Sequence, residues 1–352
     1  VFIRIIRVEL IMKAAIYNPY LDTLGGGERY SMAFAGVLAK KGFRVDVQWK
    51  DSEIKEKLEE RFGIKLEGIN FVTDIKRGDG YDICFWVSDG SIPLLRARKN
   101  FLHFQIPFKN INGKTILNKM KFYRIKTVIC NSYFTKRHID REYGVKSKVI
   151  YPPVSIDKIK PKKKENLIIS VGRFSQLTQA KRQDVLVSAF KKLYNAGLKN
   201  WQLILAGGVE VGVDDYVEKL EENSKGYPIK FIISPSWKVL KDLYGKAKMF
   251  WSASGYNIDE KKEPEKVEHF GITVVEAMAA GAIPLIFDAG GHREIVSEGE
   301  NGFLWINTKT LLRATQEIAK NKQLQVNLSK NALISSKVYE YERFEALVLE
   351  IL

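Results

Sequence analysis

The chain has 352 residues, which suggests two domains rather than one, and 45% of them are hydrophobic, enough to fill two cores. A formal charge of +16 points to an anionic partner, yet the excess is local: residues 96–148 hold 14 Lys/Arg against only Asp140 and Glu142. The two cysteines, Cys84 and Cys130, lie in apolar runs without metal-ligand spacing, which excludes a disulfide scaffold and suits a reducing compartment.

In chain order, Val1–Ile11 is apolar but interrupted by Arg4, Arg7 and Glu9. It is too short to cross a bilayer, as is every other apolar run, since crossing takes roughly 18 residues. We read it as an extension ahead of a natural start at Met12, an amphipathic surface segment being the other reading. Lys13–Asn18 is a buried strand, Pro19–Gly27 a loop, and Glu28–Lys41 a helix with Met32, Ala35, Leu38 and Ala39 on one face. Phe43–Trp49 is a second strand and charged Asp51–Arg61 an exposed helix. Asp82–Val87, Asn100–Gln105, Thr127–Asn131 and Lys148–Tyr151 complete a doubly wound parallel sheet.

Pro152-Pro153 through Pro161 to Lys164 is a linker stiffened by proline and solvated by lysine. The alternation then restarts, with strands at Leu167–Val171, Gln202–Ala206, Ile229–Ser234, Met249–Ser252 and Ile283–Phe287. Helices fall at Arg182–Asn195, Asp214–Ser224, Ser236–Lys246, Thr273–Gly281 and Arg293–Glu298, and Lys309–Leu352 reads as helical throughout. Its last apolar stripe (Phe344, Leu347, Val348, Ile351) has no obvious partner in the second sheet. Two such α/β sheets joined by a short linker leave a cleft at their strand carboxyl ends, where ligands of these folds bind.

Chemistry-bearing residues cluster at strand–helix junctions. Gly25-Gly26-Gly27-Glu28 opens the first helix, where glycines and the helix N-terminus let a phosphate approach; an ordinary turn would look similar, and the run is not G-x-G-x-x-G. Val171-Gly172-Arg173-Phe174 and Lys181-Arg182 stand at the first junction of the second domain. Two cations there would stabilise charge on a leaving diphosphate, each removal costing ~3–4 kcal/mol of barrier. Glu268-His269-Phe270-Gly271-Ile272-Thr273-Val274-Val275-Glu276 carries two carboxylates around a helix start, although Thr273-x-x-Glu276 also fits a capping box. His103 reads either as a satisfied core histidine or as a group at the end of its strand. Gly207-Gly208 and Gly290-Gly291 follow strands, and charged Tyr256–Val267 is either a solvated loop or a lid.

These motifs, in this order, resemble retaining glycosyltransferases of family 4. The Glu268–Glu276 spacing is similar to their E-x7-E signature. Gly25–Arg29, Asn131-Ser132-Tyr133-Phe134-Thr135 and Tyr151-Pro152-Pro153 resemble the branch that extends lipid-linked mannose chains. The resemblance implies the GT-B fold, α/β with two Rossmann-like doubly wound domains facing across a cleft. Residues 1–155 would bind the acceptor and 156–330 the nucleotide sugar, and the helix in 331–352 would return to the first domain. It further implies that Arg173 and Lys181 grip the diphosphate, Glu268 and His103 face the sugar, and Glu276 holds the ribose. Gly25, Gly26, Gly27, Gly207, Gly208, Phe270, Gly271, Ile272 and Thr273 would line the donor.

The expected reaction is transfer of mannose or another hexose, with retention, from a GDP- or UDP-linked sugar to a hydroxyl of a glycan or lipid-linked acceptor. No cofactor and no metal is expected, in keeping with the lack of an Asp-x-Asp pair. The basic window 96–148 interleaves Phe104, Phe108, Ile116, Leu117, Met120, Phe122 and Tyr123 with lysines. That mixture suits the anionic cytoplasmic face of a membrane better than nucleic acid, for which no binding module is present. The alternatives are a sugar-nucleotide epimerase of the same fold and an inactive polyanion- or membrane-binding protein. A nicotinamide-linked oxidoreductase is disfavoured by the first glycine loop.

Overall fold

The computed structural model describes residues 11–176, 179–210 and 212–352. Apart from Ile11, the Val1–Ile11 segment therefore lies outside the described residues. The first sheet is built from β1 (Lys13–Tyr17), β2 (Arg44–Gln48), β3 (Ile69–Val72), β4 (Ile83–Val87), β5 (Lys99–Phe104), β6 (Thr127–Cys130) and β7 (Lys148–Val149). All its pairings are parallel, in the order β3-β2-β1-β4-β5-β6-β7. Helices α1 (Gly26–Lys40), α2 (Ile54–Phe62), α3 (Ile116–Phe122) and α4 (Tyr133–Tyr143) connect these strands. The apolar run Ala14–Ile16 is fully buried because β1 is central and covered on both faces.

The second sheet contains β8 (Glu165–Val171), β9 (Gln202–Gly207), β10 (Ile229–Ile233), β11 (Ala247–Ser252), β12 (Ile283–Phe287) and β13 (Phe303–Trp305), in the order β10-β9-β8-β11-β12-β13. It is also parallel, with α5 (Gln183–Asn195), α6 (Asp214–Ser224), α7 (Trp237–Lys246) and α8 (Ile272–Ala279) between strands. The helical tail divides into α9 (Thr308–Lys320), α10 (Lys322–Ser336) and α11 (Tyr341–Ile351). Asn321 starts α10 by accepting from the Leu324 N–H at 3.0 Å.

Arg293–Glu298 is not a helix of its own; a 3-10 turn spans Gly290–Glu294 instead. Strands β3 and β13 escape the pattern reading because they are short edge strands with little buried surface. Helix α3 escapes it because none of its residues is buried, so no apolar period faces a core.

The apolar stripe at the end of the tail finds its partner across the molecule. Ala332 and Tyr339 pack in the second domain's core with α8, whereas Phe344, Val348 and Ile351 join the first domain's core. Phe344 meets the Tyr30 ring of α1 edge-on at 5.2 Å. Burying three such side chains is worth roughly 5–9 kcal/mol as an upper figure, enough for α11 to clamp the two domains together.

Candidate active site between the two sheets

At the mouth of β8 two glycines sit where a side chain would collide. A Cβ on Gly172 would lie 2.8 Å from Lys181 Cγ, and one on Gly207 only 2.0 Å from the Gly172 carbonyl oxygen. Gly172 thus lets the Lys181 stem cross the strand end, and Lys181 Nζ reaches Glu268 at 2.6 Å. Arg173 follows on the same turn; its side chain is 56% exposed and lies 4.0 Å from Glu210. A Cβ on Gly208 would meet nothing, so packing does not demand glycine there. Residues 177 and 178 of the connecting stretch Ser175–Ala180 lie outside the described residues.

Glu268 is set by a glycine pair. A Cβ on Gly290 would stand 2.2 Å from the Glu268 carbonyl oxygen, and one on Gly291 2.3 Å from that of His269. The Gly291 N–H donates to the Glu268 carbonyl at 2.8 Å. Burial works against charge on Glu268, but Lys181, with His292 and His269 behind it, holds the carboxyl down to about 2. His269 itself is pushed down to about 4 by burial, against the pull of Glu268, and lies within hydrogen-bond distance of Gln179.

Helix α8 begins directly beyond. Gly271, at φ 114°, takes the N-cap position with no side-chain cap, and Thr273 is the second helical residue. The capping-box alternative for Thr273 and Glu276 is therefore set aside. An uncapped N-terminus leaves donors and a positive dipole end for an anion. Phe270, buried at 3%, rests 5.4 Å from the ring of Tyr151, just ahead of the linker.

The first domain meets this segment with its glycine loop. A Cβ on Gly26 would come 2.9 Å from Ile272 Cδ1, and one on Gly27 1.7 Å from Gln105 Oε1, so a side chain at either position would displace the Ile272 or Gln105 side chain. Glu28 folds back to accept from the Gly25 N–H at 2.7 Å and the Thr23 hydroxyl at 2.8 Å, which fixes the loop. Arg29 crosses the gap: its Nη1 lies 2.7 Å from Glu276 Oε1. Tyr244 donates to the other oxygen of Glu276 at 2.9 Å. Both oxygens of Glu276 are thus engaged, and for it to hold a ribose Arg29 would have to yield one of them.

His103 requires a correction. Its ring does not face the cleft but is fully buried, stacked 4.1 Å from Tyr30 and 5.5 Å from Phe85, and burial pushes its pKa down to about 3. The reason is the two-residue strand period: Phe101 and His103 share the face toward α1, while Leu102 and Phe104 face the other core cluster. Gln105, one residue past the strand, is the group at its mouth.

A second bridge between the domains was not read from the sequence. Glu294 accepts from the Tyr133 and Phe134 N–H groups at 2.8 and 2.6 Å, capping α4 from the opposite domain, and from the Tyr151 hydroxyl at 3.0 Å. Phe134 packs beneath it with Val267 and Ala289. The charged loop Tyr256–Val267 is pinned rather than loose. Arg182 donates to the Tyr256 carbonyl at 3.1 Å, and Glu260 pairs with Arg293 at 2.6 Å. Among the described residues no group of three or more His, Cys, Asp or Glu is placed to hold a metal ion.

Comparison with known proteins bears on this arrangement. A family model described as glycosyl transferases group 1 matches residues 154–334, just over half of the chain. A Dictyostelium discoideum relative named GDP-Man:Man(3)GlcNAc(2)-PP-Dol alpha-1,2-mannosyltransferase is 29% identical over 263 residues, covering 67% of this chain and 50% of its own. The Homo sapiens protein of that name is 27% identical over 251 residues, covering 63% and 47%. The chain spans about half the length of the curated relatives it matches. Anabaena Alr3699/HepE, solved in complex with UDP, superposes with a TM-score of 0.77 at 18% identity, over 96% of this chain and 99% of that one. Sucrose-phosphate synthase from Thermosynechococcus elongatus gives 0.72 at 18% identity over 97% and 98%. Those two likenesses concern the fold, two Rossmann-like domains in the GT-B arrangement. With its second domain matched from the linker to α10, the chain belongs to the family of group 1 glycosyl transferases.

Proposed function

We propose that this chain transfers a hexose, mannose first among candidates, from a nucleotide-diphosphate donor to a hydroxyl of a lipid-linked glycan, with retention of anomeric configuration. The observation that carries the reading is the Lys181–Glu268 pair beside Arg173, on a segment whose next turn abuts the first domain's glycine loop. Arg173 and Lys181 draw off the charge of the departing diphosphate, and Glu268 orients the sugar. The bond from the anomeric carbon to the phosphate oxygen breaks as the acceptor oxygen attaches on the same face. The acceptor's proton passes to the leaving phosphate, so neither a protein base nor a metal is needed. GDP-mannose is favoured among donors because the mannosyltransferase relatives carry it in their names.

Thermal shift against GDP, UDP and ADP and their sugar conjugates tests the donor. Stabilisation by GDP and GDP-mannose is expected, on the order of 2.7 kcal/mol at a hundredfold excess over Kd. If no nucleotide raises the melting temperature, the proposal fails. Product anomers, resolved by NMR, separate retention from inversion, and release of an isomerised nucleotide sugar would favour an epimerase.

Helix α3 carries the membrane part of the proposal. Ile116 is 78% exposed, Leu117 61%, Met120 62% and Tyr123 90%, an apolar surface set among Lys114, Lys119 and Lys121. Such a surface matches the headgroup region of an anionic bilayer, with about 1 kcal/mol per basic residue near it. No described helix is long and apolar enough to cross a membrane. In vesicle flotation, the chain is expected to rise with phosphatidylserine-containing vesicles and to stay down with neutral ones. Lys114→Glu with Lys119→Glu should abolish flotation, and flotation unchanged by that pair rules the surface out.

A further inference from the structure

A cavity of about 530 Å³ opens in the first domain, away from the Lys181–Glu268 pair. It lies at the carboxyl ends of β2, β1 and β4, between Tyr17, Gln48 and Trp86. The strand order β2-β1-β4 reverses the chain's direction of progress there, which is the place where open parallel sheets bind ligands. Its size is that of an ordinary small-molecule site.

The lining has a specific character. Tyr17 and Trp86 stack with ring centroids 3.7 Å apart and planes 19° from parallel, and both rings are only half-buried. Around this platform stand two carboxylates, Asp74 and Asp89, and two cations, Arg77 and Lys121, so the rim carries no net charge. Leu94, 45% exposed, adds an apolar edge. A polyanion would be repelled by the carboxylates, and a purely apolar ligand would leave four charges poorly solvated. A neutral sugar satisfies both demands. Its C–H face lies on an aromatic ring, and its rim of hydroxyls donates to carboxylates and accepts from cations.

Asp89 is already shaped for this. Its Oδ1 accepts from the Ser91 N–H at 2.9 Å and the Ser91 hydroxyl at 2.7 Å, which fixes the carboxylate at the rim. The site is also tied to the gap between the domains. Tyr17 precedes Asn18, whose side chain donates to Ser31 at 3.0 Å and to the Gly27 carbonyl at 3.4 Å, holding the loop that abuts Ile272. Lys121, also in the lining, belongs to the exposed helix α3.

We propose that the Tyr17–Trp86 cavity is an oligosaccharide-binding subsite for neutral sugars, seated between α3 and the interdomain gap. That its occupant is the acceptor rests on the transferase reading above; that it binds glycan does not. The test is calorimetric titration of the full chain with two free trisaccharides, α-linked mannotriose and maltotriose, together with saturation-transfer NMR. Binding of at least one is expected, weakened at least tenfold in Trp86→Ala and at least fivefold in Asp89→Asn. Trp86→Phe should stay near wild type. Asp89 is exposed, so its variant keeps the test decisive if Trp86→Ala fails to fold.

Lys181→Ala is expected to bind the trisaccharide as tightly as wild type, because that residue belongs to the donor side. The inference is overturned if neither trisaccharide binds, if both cavity variants bind as wild type does, or if pyrophosphate competes the trisaccharide out. Nucleotide stabilisation without trisaccharide binding would sink this subsite alone. Trisaccharide binding without any nucleotide effect would sink the proposed donor chemistry and leave the subsite standing.

Discussion

Lys181→Ala is expected to lower the rate of sugar transfer by ~10²–10³-fold, the cost of removing one preorganised charge partner from a developing anion. Lys181 is the better held of the two cations: its side chain is 22% exposed and anchored on Glu268 at 2.6 Å, whereas Arg173 is 56% exposed. A positioned charge costs no reorganisation when the diphosphate departs, while a mobile one must first be ordered. Arg173→Ala is therefore expected to fall less steeply, and Arg173→Lys to recover little, since a forked donor set is replaced by a point charge. The loss should appear in kcat with donor KM changed little, because the negative charge on the bridging oxygen grows only in the transition state.

Glu268 supplies the control. Its carboxyl, ordinarily near 4.5, is held down to about 2, so it stays charged at every pH where assays run, and this pair gives the activity no acid limb between pH 5 and 8. The sign follows from linkage. A depressed carboxylate contributes stability above its unfolded value that disappears as pH falls toward 2, and Glu268→Gln should remove that acid dependence. Steady-state kinetics on the four variants decide the matter. Lys181→Ala retaining half of wild-type kcat would end the case for Lys181 as the leaving-group cation.

The cluster around the Lys181–Glu268 pair was legible as a cluster because its residues lie at strand ends, where period and punctuation are strong. Gly172, Arg173, Gly290 and Gly291 each follow a buried apolar strand; close backbone approach explains Gly290 and Gly291, and the crossing Lys181 side chain explains Gly172. His103 was not legible in the same way. A one-residue shift in the register of β5 would turn the ring to the other face, and apolar neighbours on both sides of His103 conceal the alternation. Arg29 and Glu294 were missed for another reason. Each is 100 or more positions from its partner, so local spacing carries no sign of the pairing. Helix α3 lacked a core-facing stripe altogether, and only its charge marked it. The returning helix was legible because Phe344, Val348 and Ile351 formed a stripe for which the second sheet offered no place.

Glu276→Ala is expected to destabilise the protein by ~3–5 kcal/mol, the usual cost of breaking a buried pair from one side. Arg29 and Glu276 are 9% and 6% exposed at the side chain, so the orphaned guanidinium has little water to turn to. Its Nε already lacks a partner among the described residues, where its one other side-chain hydrogen bond runs from Nη2 to the Ser155 hydroxyl at 3.3 Å. Tyr244, fully buried with its pKa raised well above 10 by burial and then by Glu276, remains a phenol and would lose its acceptor as well. Arg29→Met combined with Glu276→Met should recover most of the loss, because the double change removes both charges and keeps side-chain volume. Denaturant melts of the two single variants and the double variant give the coupling directly. A cycle that closes with no coupling would show that the two residues do not act as a pair across the domains. The same double variant separates structure from ligand binding. If Glu276 also holds the donor's ribose, as the resemblance implies, the restored protein should still bind nucleotide at least tenfold more weakly; wild-type affinity would confine Glu276 to the clasp between the domains.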